Sequence, residues 1–251
     1  MRPSEARVPA QHRVAIWISG ASSGIGAALA QSVPFPGGRL FGISRRAPAA
    51  GEHIEADLSQ PAGWPAIAAH FEKVLGRREA SAAVFLHMSG IGTPAGPAAD
   101  ADLEAYTAAV LLNSASGQVL GKAFLSACRR SNTDATLVLC SSPTAARTVP
   151  GVSHYGAGKS ALQYWAAAVA TEVEGWARVF SVVPFAVDTP MVRETISRPG
   201  LTPVAAKLSE AARRGELATA EATAAQIWQL VLDGTHAEAV PVGAVPAEVR
   251  R

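Results

Sequence analysis

Short, uniformly apolar runs alternate with helical patterns along this chain, and that alternation restricts the fold more than any other feature. The runs lie at 14–18, 40–43, 53–56, 82–87, 135–140, 179–183 and 239–242. Between them the apolar spacing becomes helical at 24–33, 64–75, 102–130, 155–173 and 219–232. A strand that is apolar on both faces needs cover on both, which is the condition of a parallel sheet between two helix layers. Right-handed crossovers then wind the sheet doubly. The third run is very short, and the last reads as an edge strand. The 102–130 helix is expected as one element, with Asp100 or Asp102 as its N-cap. Pro184 is expected to end the sixth strand. The 189–215 segment has three prolines and weak periodicity, so it is expected as an irregular insertion over the site.

Composition narrows the function classes. With 251 residues, 49% hydrophobic and 17% charged, the chain suits one α/β domain with a large core. Residues 1–12 read as a loose leader with no apolar signal segment, and 13–251 as the domain. The net charge of +2 shows no basic excess for nucleic acid. No stretch approaches the ~20 apolar residues of a membrane span. Two cysteines, Cys128 and Cys140, make neither a disulfide framework nor a metal cluster, so no metal is expected. Cys140 sits in an apolar run and reads as a buried small side chain. A reducing, cytoplasmic setting is expected.

In a doubly wound sheet, ligands bind beyond the carboxyl ends of the strands. The first strand runs into Ser19-Gly20-Ala21-Ser22-Ser23-Gly24-Ile25-Gly26. Three glycines at a strand-to-helix turn allow a tight turn, close ligand approach and close helix packing. The helix amides there suit a pyrophosphate. After the second strand come Ser44-Arg45-Arg46, and no Asp or Glu lies between Gly26 and Glu52. Guanidinium groups without an acid suit a ribose 2′-phosphate, so NADP(H) is expected over NAD(H), with NAD(H) still possible. Asp57 either accepts from the adenine amino group or caps the helix ahead of Leu58. The fifth strand ends at Ser141-Ser142. Tyr155 and Lys159 follow, four apart on one helix face. The ammonium and a cationic nicotinamide both favour phenolate and are expected to lower the tyrosine pKa.

Together these pieces resemble the short-chain dehydrogenase/reductase family, from Val14 to about Val242. The glycine turn resembles its Thr-Gly-x-x-x-Gly-x-Gly motif, with Ser19 in the threonine place. The resemblance implies a Rossmann-like fold and a catalytic set of Asn113, Ser142, Tyr155 and Lys159. Tyr155 would exchange a proton with the substrate oxygen, and Ser142 would hold that oxygen. Lys159 would bind the nicotinamide ribose, and Asn113 would place a relay water behind it. Implied cofactor contacts are Gly20, Ser22, Ser23, Gly24, Ile25 and Gly26 at the turn. Ser44, Arg45, Arg46, Asp57 and Leu58 would face the adenosine. Gly90, Tyr155, Lys159, Pro184, Val187 and Thr189 would face the nicotinamide end, with Thr189 on the carboxamide.

The departures are local. The family has Asn-Asn-Ala-Gly after its fourth strand; this chain has His87-Met88-Ser89-Gly90. His87 is read as supplying structural hydrogen bonds of the first asparagine rather than as catalytic. Pro184-Phe185 replaces the family's Pro-Gly. The Val187-Asp188-Thr189 wording is similar to the sepiapterin reductase and benzil reductase branch. Ser142, Pro143, His154, Tyr155, Phe185 and Met191 are expected to contact substrate, and Phe185, Met191 and Leu201 suggest an apolar or aromatic compound. The expected function is NADPH-dependent reduction of a ketone or diketone. Oxidation of a secondary alcohol and a non-catalytic nucleotide-sensing scaffold are the alternatives. The resemblance also implies a homodimer or homotetramer paired through the long helices.

Overall fold

A computed structural model describes residues 14–198, 200, 202–235 and 238–245. The 1–12 leader and Leu201 lie outside the described residues. Seven strands form one parallel sheet: β1 (Val14–Ser19), β2 (Arg39–Ser44), β3 (Glu52–Glu55), β4 (Ala82–His87), β5 (Asp134–Cys140), β6 (Ala177–Phe185) and β7 (Ala239–Gly243). Their order is β3-β2-β1-β4-β5-β6-β7. The order reverses between β1 and β4, whose pairing runs from Val14 opposite Ala82 to Ser19 opposite His87. Both strands therefore deliver their last residues to one crevice.

The apolar runs alternate between two cores, because successive side chains of a strand point to opposite faces. Trp17, Phe85 and Leu137 enter one core with α2 (Trp64–Leu75), α4 (Ser116–Ser131) and α5 (Ser153–Glu172). Ile16, Ile18, Leu86 and Val138 enter the other with α1 (Gly24–Gln31) and α8 (Ala220–Leu232). Trp17 stacks on Phe41 at 5.1 Å and meets Phe71 edge-on at 5.2 Å. Its indole N–H donates to His70 Nδ1 at 3.1 Å, so burial leaves no lone donor there.

Three boundaries differ from the sequence reading. The expected single helix at 102–130 is α3 (Leu103–Val110), a π turn (Leu111–Ala115) and α4. Asp102 caps it, accepting from the amide of Ala105 at 2.8 Å. The extra residue of the π turn lies where Gly158 presses on Asn113, a contact between helices that periodicity does not report. Strand β6 runs past Pro184 to Phe185. The last β5–β6 pair is Cys140 with Val182, so Pro184 lies beyond that ladder. The 189–215 segment is two helices, α6 (Pro190–Ile196) and α7 (Pro203–Arg213). Two of its prolines start helices instead of breaking them, because the first helical position needs no N–H.

Candidate active site

At the end of β1 the chain turns at Gly20, whose φ of +71° a side chain would strain. A Cβ on Gly26 would overlap the carbonyl oxygen of Gly20, which is why α1 starts so close to the strand. Ser23, the N-cap of α1, makes no side-chain cap bond, and the first turn holds no acid. Ser22 and Ile25 lie in the same turn. A Cβ on Gly24 would meet Thr189 Cγ2 at 3.3 Å, so the turn is closed from above by the residue that begins α6. Thr189 Oγ1 caps that helix, accepting from the amide of Val192 at 3.3 Å. The arrangement fits a pyrophosphate with a nicotinamide beyond it.

Beyond β2, the Ser44 hydroxyl donates to the carbonyl of Arg46 at 2.7 Å. Arg45 and Arg46 are exposed there. Arg45 lies 3.9 Å from Asp57 Oδ2. Asp57 Oδ1 accepts from the Ser59 amide at 2.9 Å and its hydroxyl at 2.7 Å, so Asp57 closes a turn. It is not a helix cap: the N-cap of the short helical turn that follows is Gln60. Burial pushes the Asp57 carboxyl up, but the two Ser59 bonds and the Arg45 charge outweigh it and hold it below the usual value. Leu58 is buried, 4% exposed.

Lys159 is 1% exposed. Its ammonium donates to the carbonyls of Cys140 at 2.8 Å and Ser89 at 3.5 Å, and lies 5.7 Å from the Tyr155 ring centre. Burial lowers its pKa, and Cys140 works against that. The Ser142 hydroxyl lies beside the Tyr155 phenol and works to lower its pKa. Ser142 Oγ also accepts from the Thr144 amide at 3.3 Å and hydroxyl at 3.0 Å. Burial first, and Cys140 second, push the Tyr155 pKa up, against the Ser142 hydroxyl. Burial thus acts on the phenol against the direction expected of the Lys159 ammonium together with a bound nicotinamide.

Asn113 spends its amide on one residue. Oδ1 accepts from the amide of Ile91 at 2.9 Å, and Nδ2 donates to its carbonyl at 2.8 Å. Both ends being engaged, the side chain clamps the loop after β4. A Cβ on Gly90 would lie 3.2 Å from Lys159 Nζ and 3.3 Å from Asn113 Oδ1, so the loop, the lysine and the π turn meet at that glycine.

The expected substrate residues divide. Pro143 opens the helical turn after Ser142, and Phe185 ends β6. Met191 Cγ comes within 3.8 Å of a Cβ built on Gly92, so α6 faces the loop after β4. Pro184 and Val187 flank Phe185, and Val187 bridges to Ala218. His154 is corrected: its ring is only 3% exposed and lies 5.2 Å from the Tyr106 ring, so it offers no open face to a substrate. Cys140 is partly exposed rather than fully buried. Burial raises its pKa, with Lys159 opposing, and Cys128 is pushed up to about 12. Sequence reasoning missed Ser89, Ile91 and Cys140, because they act through backbone groups that carry no residue-type signal.

The chain matches the family model described as Enoyl-(Acyl carrier protein) reductase over residues 20–238. No curated protein matches it. A short-chain dehydrogenase/reductase from Burkholderia vietnamiensis is 28% identical, with a TM-score of 0.64 over 78% of this chain and 94% of that one. Levodione reductase is 20% identical, with a TM-score of 0.76 over 93% and 97%. Ligand-free aldohexose dehydrogenase of Thermoplasma acidophilum is 20% identical, with a TM-score of 0.75 over 92% of both chains. With the family model matched over most of its length, the chain belongs to the short-chain dehydrogenase/reductase family of NAD(P)-dependent oxidoreductases.

Proposed function

We propose that this protein is an NADPH-dependent carbonyl reductase acting on a ketone or diketone. The observation that carries the reading is the grouping of Tyr155, Ser142 and the buried Lys159, whose ammonium lies 5.7 Å from the Tyr155 ring centre. A phenol there can give its proton to a carbonyl oxygen as charge develops on it. NADPH, when bound along the glycine turn, supplies the hydride. Ser142 holds and polarises the carbonyl oxygen. Lys159, anchored on the Cys140 and Ser89 carbonyls, presents its charge beside Tyr155 and the ribose position. The same groups serve alcohol oxidation, with Tyr155 taking the proton instead of giving it.

Arg45 and Arg46, with no acid at the end of β2, support NADPH over NADH. Phe185 and Met191 support an apolar or aromatic substrate. Helices α6 and α7 serve as its cover. Leu103, Val110, Val119 and Tyr164 are exposed on α3, α4 and α5, which supports pairing of subunits through those helices as a homodimer or homotetramer. Light scattering that gives a monomer overturns that part. Among the described residues no helix is long and apolar enough to cross a membrane. The free thiols Cys128 and Cys140 suit a reducing cytoplasm.

The test is a panel of ketones, diketones and pterins, assayed with NADPH and NADH side by side. Tyr155→Phe is expected to abolish turnover and leave NADPH affinity unchanged. Turnover that survives the substitution rules out Tyr155 as the proton donor.

A further inference from the structure

We propose that His87 is a positioning residue, locked as its Nε2–H tautomer, that carries an uncharged hydrogen-bond chain from the loop after β4 to the π turn and so fixes Ser89, whose carbonyl is one of the two that hold Lys159. The proposal deepens the reductase reading and rests on it for the role of Lys159.

The tautomer follows from a proton count. The Ser116 hydroxyl has one proton and gives it to the carbonyl of Leu112 at 2.8 Å. Its 3.3 Å contact with His87 Nε2 then runs from the imidazole to Ser116, so Nε2 carries the ring proton. Nδ1 is left as an acceptor, and Ser19 Oγ donates to it at 3.0 Å. Ser19 Oγ in turn accepts the Ser89 amide at 3.2 Å. The bonds run in one direction: Ser89 to Ser19, Ser19 to His87, His87 to Ser116, Ser116 to Leu112.

The two ends matter for the site. Leu112 belongs to the π turn, where its neighbour Asn113 clamps Ile91. Ser89 offers Lys159 its carbonyl at 3.5 Å. The loop is therefore held at Ser89 through His87 and at Ile91 through Asn113, with Gly90 and the lysine ammonium between. The ring is 0% exposed and has no access to a substrate, so it acts through these neighbours. Its space is reserved: a Cβ on Gly117 would lie 3.0 Å from His87 Cδ2. Burial, and then the Lys159 charge, lower the His87 pKa to about 3, so the chain stays uncharged at neutral pH. An imidazolium would turn Nδ1 into a donor against Ser19 and set a second cation near Lys159.

The experiment begins with the intact protein labelled with ¹⁵N at histidine. The His87 ring is expected to show the Nε2–H pattern, unchanged between about pH 5 and pH 8, where an ordinary histidine titrates. His87→Phe keeps the ring and removes both bonds. It is expected to weaken NADPH binding, lower kcat by about 10- to 100-fold, as a sub-ångström misplacement does, and shift the pH profile of kcat. His87→Gln is expected to restore part of both. Should His87→Phe not fold, Ser116→Ala removes the Nε2–H acceptor and the Leu112 bond, leaves the Ser19 bond, and is expected to give a smaller loss in the same direction. An Nδ1–H pattern, titration within that range, or a folded His87→Phe protein with unchanged NADPH affinity and pH profile overturns the proposal. Tautomer and NADPH affinity are read without turnover, so they decide it even if no carbonyl compound is reduced.

Discussion

Arg45 shows how little of a residue's role its type alone conveys. The exposed guanidinium lies 3.9 Å from Asp57, a pair held in water and worth well under 1 kcal/mol. Such a group is free to turn to a 2′-phosphate, where charge-assisted bonds are roughly twice as strong as neutral ones. Replacing Arg45 and Arg46 together by Ala is expected to raise KM for NADPH by about 10- to 100-fold, the loss of one or two bonds to a charged group. KM for NADH is expected to change little. Steady-state kinetics with both cofactors measures this, and equal losses for the two would remove the 2′-phosphate role. Lys159 was legible as a residue from its spacing to Tyr155. Its carbonyl anchors were not, since Cys140 and Ser89 contribute only backbone oxygens.

At the scale of elements, the π turn and the glycines around it are the informative parts. A Cβ on Gly158 would lie 2.9 Å from Asn113 Cβ and 3.1 Å from its carbonyl oxygen. Helix propensity alone favours Ala over Gly by about 1 kcal/mol. Close packing opposes that with an overpacking cost of about 1–3 kcal/mol. Gly158→Ala is therefore expected to destabilise the protein and to lower kcat by displacing Asn113. Urea unfolding gives the sign, and a stabilised variant would show that α5 and the π turn have room to spare. At the other end of α3, Asp102→Ala removes the Ala105 bond and is expected to cost about 1 kcal/mol by the same measurement, with kcat unchanged. The helices of the 189–215 segment escaped the periodicity because each is short and begins at a proline, a residue that reads as a breaker when its position is unknown.

Over the whole molecule, buried imidazoles set the response to acid. His87 has a pKa near 3 when folded, against 6.5 for the free side chain. Between those values the unfolded chain binds the proton and the folded one does not, so stability falls as pH drops below about 6.5. Burial lowers His70 and His154 as well, which adds to the same sign. The His87 contribution alone reaches a few kcal/mol across the window, at about 1.4 kcal/mol per unit. The melting temperature is expected to fall steadily from pH 7 to pH 4.5. A folded His87→Phe protein is expected to give a flatter curve, and identical slopes would mean that His87 is not the titrating group.

The layered parallel sheet, the glycine turn, Ser142 after β5 and the Tyr155–Lys159 pair on α5 were all legible in the order of residues. Those features rest on local periodicity and on fixed spacing along one helix, which need no knowledge of distant neighbours. Packing across the fold settled the rest. It gave Asn113 to Ile91, turned His154 to Tyr106, and closed Gly24 with Thr189. It set burial against the lowering expected at Tyr155, because desolvation depends on everything packed around the phenol rather than on the lysine four residues on. It also joined Ser19, His87 and Ser116, which lie far apart in the chain and share only the crevice where β1 meets β4.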